Sequence, residues 1–443
     1  MERKIAKQLA KWKENPSRMP LILLGARQVG KTHTLLTFGK THYKNTVYVN
    51  MEDSAETTSI FDRDLQPERI IAELAVKTGQ TILADDTLII LDEIQACERA
   101  LTSLKYFQEN APKFHIVCAG NLLGVAVNRE KYSFPVGKVN MMTLHPMDFE
   151  EFLLALGQEA MISSIRKAHA GHKPFSLHET AMDLYRLFQV VGGMPRALLE
   201  YLEKKDFNFV LAAQKTINDA YIADMAKYAS VHETTRIMAT YNSIPAQLAK
   251  ENRKFQYKLI RTGARAHVYE TPVEWLKAAG ILIKCDKVRE GIIPLPAQVD
   301  AGIFKLYIPD AGILFARLGI RAERILSPGG DLGGYIGALT ENFVATALTA
   351  MGRVPVYWES QGRAEIDFLI QDDKDRVIPI EVKAAENVRS KSLQMYVAKY
   401  GPPYSIRISG RQAGFENGIL SVPLYAVFCL GDEGALEATG EFH

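Results

Sequence analysis

Eight consecutive residues, Gly25-Ala26-Arg27-Gln28-Val29-Gly30-Lys31-Thr32, fill the pattern G-x-x-x-x-G-K-[ST]. The chemistry of that pattern is phosphate binding. Glycines let backbone N–H groups curl round phosphates, Lys31 reaches the β/γ-phosphates, and Thr32 can ligate Mg²⁺ at the start of a helix. A glycine-rich turn before an ordinary helix is the plainer alternative, but motif and setting together point to a nucleoside triphosphate, ATP with Mg²⁺. A second run, Leu88-Ile89-Ile90-Leu91-Asp92-Glu93, is apolar and ends in two carboxylates. Asp92 is placed to hold the water shell of Mg²⁺, and Glu93 to polarise an attacking water. Asn121 ends a third apolar run and is a candidate γ-phosphate sensor, and Asn50 a candidate restraint on Glu93. Strand-ending asparagines are also ordinary turn formers.

Another group of chemistry-bearing residues lies in the last third of the chain. Side chains alternate along strands, so Glu381 and Lys383 share the face opposite Ile378, Ile380 and Val382. Asp367 likewise points away from Ile366 and Phe368, and adjacent antiparallel strands would bring Asp367 to Glu381. Two carboxylates and a lysine suit a hard divalent cation that activates water against a phosphodiester, with Lys383 stabilising charge on the phosphate. Spacing alone is weak, because Glu2-Arg3-Lys4 and Glu203-Lys204-Lys205 repeat it. A surface ion pair between Glu381 and Lys383 is the competing explanation. The hairpin setting, and a preceding helix that carries Glu341, favour the site.

The elements that must position these groups follow from periodicity. Strands at 21–24, 46–50, 88–93 and 115–121, with a helix opening at Thr32, predict a doubly wound parallel α/β sheet over residues 20 to 145. Between about 226 and 310 short helices at 244–248 and 272–280 precede strands at 281–285 and 304–308, which predicts a winged helix. Residues 250–267 hold Lys250, Arg253, Lys254, Lys258, Arg261 and Arg265 against Glu251, interleaved with Phe255 and Tyr257. Such a cluster suits a phosphate backbone, though a solvated face looks the same. Beyond 311 a helix at 335–351, strands at 354–358, 364–370 and 377–383, and a polar turn at Asp372-Asp373-Lys374-Asp375 predict a second α/β body.

Composition bounds the rest. The 443 residues suggest roughly two to four domains. A net charge of +2 does not by itself advertise nucleic acid. Cys97, Cys118, Cys285 and Cys429 form no C-x-x-C pair, so neither a zinc site nor a disulfide framework is expected. No apolar run approaches a membrane span, and Met1-Glu2-Arg3-Lys4-Ile5 lacks the core of a signal peptide, so a soluble cytoplasmic protein without a membrane partner is expected.

Taken together, the order of motifs resembles AAA-type ATPases of bacteria and archaea that carry an uncharacterised C-terminal domain of the PD-(D/E)xK nuclease-like class. The matching landmarks are 25–32, Leu91-Asp92-Glu93-Ile94-Gln95, residues 119–124, 144–152 and Gly192-Gly193-Met194-Pro195. The resemblance implies an ATPase core at 1–145, a helical lid at 146–225, a winged-helix-like domain at 226–310 and a restriction-endonuclease-like α/β domain at 311–443. It implies that Gly192-Gly193 faces the nucleotide and that Glu341, Asp367 and Glu381 hold a metal. Where relatives carry a Gly-Arg pair this chain has Gly137-Lys138, which leaves Arg129 and Arg196 as candidate arginine fingers. The implied activity is Mg²⁺-dependent ATP hydrolysis coupled to DNA, with DNA, a protein or further copies of the chain as partners. A nucleotide-controlled switch with a catalytically silent C-terminal domain is the alternative.

Overall fold

The computed structural model describes residues 1–121, 134–229, 231–250, 253–327, 334–360, 362–372, 374–384 and 391–432. Arg129, Glu251, Asp373 and positions 122–124 of the third landmark lie outside the described residues. The chain forms two units, the first comprising 1–145, 223–230 and 278–280, the second 146–222, 231–277 and 281–443.

Unit 1 is built on five parallel strands, β1 (Leu21–Gly25), β2 (Asn45–Asn50), β3 (Thr87–Asp92), β4 (His115–Asn121) and β5 (Asn140–Thr143), in the order β2-β3-β4-β1-β5. The three central strands are buried along their whole length, which is why they read as unbroken apolar runs. The edge strand β2 alternates instead: Val47 and Val49 are buried while Tyr48 and Asn50 sit half-exposed on the other face. The core joins β2, β3 and β4 to the helices Pro67–Thr78 and Glu98–Asn110 through Ile70, Leu74, Ile89, Leu104 and Phe107. Because β4 lies between β1 and β3, the C-terminal ends of three strands meet. Gly25 pairs in register with Asn121, and Asn50 with Asp92.

Unit 2 opens with helices Phe149–Ala155, Glu159–Ala170, His178–Val191 and Pro195–Lys204. The first is fixed by a capping box, Asp148 accepting from Glu151 N–H and Glu151 from Asp148 N–H. Its sheet has eight strands: β6 (Ile283–Val288), β7 (Val299–Tyr307), β8 (Val356–Ser360), β9 (Ala364–Gln371), β10 (Val377–Val382), β11 (Ser405–Ser409), β12 (Gly414–Glu416) and β13 (Ile419–Pro423). Their order is β12-β13-β11-β10-β9-β8-β6-β7. The hairpin expected as the wing of a 226–310 domain is therefore not free-standing. Strand β6 pairs parallel with β8, so the supposed wing completes the edge of the sheet assigned to 311–443. Apolar residues on β6 and β7 bury more surface on a sheet and a helix than a wing held out in water would. One face is covered by the helix Lys391–Tyr400, whose Tyr396 and Tyr400 rings stand edge-on to Trp358 at 5.2 and 5.7 Å. The helix Gly334–Ala350 lies against β6, β7 and β10 and brings Glu341 with it.

Candidate nucleotide site and the acidic centre of unit 2

The loop between β1 and the helix Lys31–His42 takes the conformation its motif demands. Gln28 and Gly30 have φ of 66° and 96°, left-handed values that turn successive N–H groups inward, and Gly30 adopts its value without a Cβ penalty. Ala26 and Val29 are buried, and Arg3 pins the loop by donating to Val29 O at 2.8 Å. Lys31 folds back over the loop, its Nζ 3.0 Å from the carbonyls of both Gly25 and Ala26. Burial pulls its ammonium below the usual lysine range, against Glu93 and Asp92.

Thr32 Oγ1 donates to Asp92 Oδ2 at 2.6 Å, joining the two motifs across the sheet. Hydroxyl and carboxylate oxygens are the donors a hard cation prefers, so the pair fits Mg²⁺. Tyr48, from the outer face of β2, donates to the same Asp92 oxygen at 3.0 Å. Burial and the neighbouring carboxylate hold its phenol well above the usual range, so it stays a donor. Glu93 follows in a left-handed conformation, φ 49°, that turns it out of the strand, and its N–H donates to Asp92 Oδ1 at 2.9 Å. Its carboxylate is held by the Gln95 amide.

Gln95 also accepts from Asn121 N–H at 3.2 Å, and Asn121 Nδ2 reaches Asp224 Oδ2 at 3.4 Å. Asp224 is buried and pairs with Arg27 of the loop at 3.1 Å. Burial pushes its carboxyl up, against the pull of Arg27. The buried Oδ1 of Asn121 has no hydrogen-bond partner. Thus Lys31, Thr32, Asp92, Glu93, Asn121 and the loop from Gly25 to Thr32 converge. Asn50 does not restrain Glu93: its Oδ1 accepts from Glu52 N–H at 2.9 Å, the turn-forming use of asparagine, and Gln95 holds Glu93 instead. Gln95 was visible two residues beyond Glu93. Tyr48 and Asp224 carry no local signal, because strand pairing and a distant helix supply them.

Gly193 N–H donates to Asp310 Oδ2 at 2.6 Å and Gly193 O accepts from Met147 N–H at 2.8 Å, so the Gly-Gly turn is a packing joint within unit 2. Burial pushes the Asp310 carboxyl up to about 6. Lys138 pairs with Glu109 at 3.0 Å, and Arg196 is exposed.

In unit 2 the hairpin forms as expected, and each carboxylate of the expected metal set accepts a hydrogen bond or ion pair from within the chain. Among the described residues no three carboxylate, histidine or cysteine side chains gather as a cation site. Asp367 accepts from Val382 N–H at 2.7 Å, closing the ladder where β10 ends. Glu381, buried, is flanked by Lys383 at 3.3 Å and by Arg407, its register partner on β11, at 3.4 Å. Glu341 is matched by Lys305, Arg253 and the Tyr307 hydroxyl. Of the basic stretch, Arg253 and Lys254 are likewise turned inward, Lys254 onto Glu359, and Phe255 stacks on Phe304 with ring centroids 5.2 Å apart. Lys250, Lys258, Arg261 and Arg265 remain exposed.

Residues 17–153 match the AAA domain family, and the loop and carboxylate geometry described above lies within that match. Proteins of this class bind nucleotide with Mg²⁺. Residues 182–324 match a domain of unknown function, DUF8612, and 336–427 another, DUF4143. Among solved structures the chain is similar to the Walker-type ATPase of Pyrococcus abyssi, with 15% identity, a TM-score of 0.41, and 71% of this chain and 95% of that one covered. It is also similar to the Orc1 protein of Aeropyrum pernix, solved in complex with DNA, at 14% identity and a TM-score of 0.28 over 73% and 90% of the two chains. Cdc6p of Pyrobaculum aerophilum gives 14% identity and a TM-score of 0.27 over 74% and 94%. No curated protein matches. Among the described residues no helix is long and apolar enough to cross a membrane.

Proposed function

We propose that unit 1 hydrolyses ATP and that unit 2 engages nucleic acid, so that the chain couples nucleotide turnover to DNA. The observation that carries the reading is the direct Thr32–Asp92 hydrogen bond with Glu93 poised beside it. In this scheme the left-handed loop N–H groups and Lys31 hold the phosphates, with Lys31 leaving the Gly25 and Ala26 carbonyls to do so. Thr32 and Asp92 are the residues that would hold Mg²⁺, which would offset negative charge on the bound phosphates. Glu93 takes a proton from the attacking water once Gln95 releases it, and Asn121 turns its unpartnered oxygen toward that water or its amide to the γ-phosphate. Lys250, Lys258, Arg261 and Arg265 provide the phosphate-backbone contacts.

The test is ATP turnover with and without DNA in wild type, Lys31→Ala and Glu93→Gln. Wild type should be stimulated by DNA, and Lys31→Ala should lose nucleotide binding. Glu93→Gln should keep binding and lose on the order of 10²- to 10⁴-fold in kcat, the usual contribution of a general base. Full turnover in Glu93→Gln would remove the residue from the mechanism. A second reading, a nucleotide-controlled switch whose C-terminal domain is catalytically silent, is supported by the internal pairing of Glu341, Asp367 and Glu381. It is chosen if DNA leaves turnover unchanged.

A further inference from the structure

The acidic centre of unit 2 is built round a lysine that no motif announced. The helix Gly334–Ala350 carries one charged residue in seventeen, Glu341, and buries it to 1% exposure. A buried carboxylate is costly unless it is paired and hydrogen-bonded, so its partners say what the site is for. Lys305 on β7 is 0% exposed, and its Nζ sits 2.9 Å from Glu341 Oε1 and 2.7 Å from Glu365 Oε1. That ammonium bridges Glu341 of the helix to Glu365 of β9, the strand that also carries Asp367 of the expected metal set. Tyr307, two residues further along β7, donates to the same Oε1, and Arg253 takes Oε2.

The approach of Arg253 is provided for in the helix itself. A Cβ at Gly337, one turn before Glu341, would lie 2.5 Å from Arg253 Nη2. The absence of a side chain there leaves the lane along which the guanidinium crosses the helix. Lys305 and Arg253 together bring the two positive charges that a divalent ion would bring, and both oxygens of Glu341 are taken.

We infer that Lys305 is a built-in counter-ion occupying the place of a divalent cation between Glu341 and Glu365, so that unit 2 has no metal-dependent phosphodiester chemistry at this centre. The inference deepens the silent-domain reading, and it is read from metal binding, which does not depend on ATP turnover. The full chain without nucleotide is titrated with Mn²⁺ and followed by electron paramagnetic resonance, in wild type, Glu341→Gln, Asp367→Ala, Lys305→Gln and the double variant Lys305→Gln/Glu341→Gln.

Wild type, Glu341→Gln and Asp367→Ala should bind equal numbers of Mn²⁺ ions. Lys305→Gln, which vacates the bridge, should gain one ion per chain, and the double variant should lose it again. Wild type should also leave linear, branched and single-stranded DNA uncut with Mn²⁺ present. A wild-type Mn²⁺ site lost in Glu341→Gln, or Mn²⁺-dependent cleavage lost in Asp367→Ala, overturns the inference. So does a folded Lys305→Gln that gains no ion. If Lys305→Gln does not fold, the comparison of wild type with Glu341→Gln and the cleavage assay still decide.

Discussion

Glu93 shows how finely single side chains set the nucleotide site. A left-handed backbone turns it out of β3, and the Gln95 amide then holds its carboxylate, which in the proposed mechanism it must release. A hydrogen bond to a carboxylate is worth at least about 1.5 kcal/mol, or roughly a factor of ten in rate. Gln95→Ala should therefore raise basal ATP turnover roughly tenfold and weaken any stimulation by DNA. A fall in basal turnover would instead make Gln95 a positioning residue for the water. This switch was half-legible in advance. Glu93 stood out because acidic residues closing an apolar strand after a P-loop point to phosphoryl transfer. Asn50, which shares a register row with Asp92, offers an amide as its restraint from the sequence, but local turn geometry claims that amide.

At the scale of elements, strand order does most of the positioning. Placing β4 between β1 and β3 brings Asn121 beside the loop and the carboxylates, and the outer face of β2 delivers Tyr48. In unit 2 the joint between Gly193 and the start of the helix Ala311–Leu318 has a titratable consequence. Asp310 caps that helix through Ile313 N–H at 2.8 Å and also receives Gly193 N–H. Burial raises its folded pKa from 3.8 to about 6. A raised acid contributes stability while protonated, fully below its unfolded pKa, and loses that contribution as pH rises through the folded value. Urea midpoints should thus fall between about pH 4 and 6, and the fall should shrink in Asp310→Asn. An unchanged pH dependence in that variant would clear Asp310 of the role.

For the molecule as a whole, charge placement matters more than net charge. Of six basic residues in the 250–267 stretch, Arg253 and Lys254 are turned into internal ion pairs, while Lys250, Lys258, Arg261 and Arg265 face solvent. If those four contact phosphates, alanine at Lys258, Arg261 and Arg265 should weaken DNA binding at low salt. It should also reduce the slope of log K against log salt by about three. An unchanged slope would move the nucleic-acid surface elsewhere or favour a protein partner.

The amino-acid sequence by itself determined the phosphate loop, the strand that ends in Asp92-Glu93, the parallel sheet that holds them and the Asp367–Glu381 hairpin. Each depends on local backbone preference or short-range periodicity, which neighbouring residues are enough to specify. Only the tertiary structure decided that β6 and β7 complete the sheet of β8 to β13 and that Asp224 pairs with Arg27. It also decided that Lys305 and Arg253 pair with Glu341. Those outcomes turn on which distant charges are buried together. A buried carboxylate accepts whichever cation the fold delivers, and spacing along the chain does not say which one arrives.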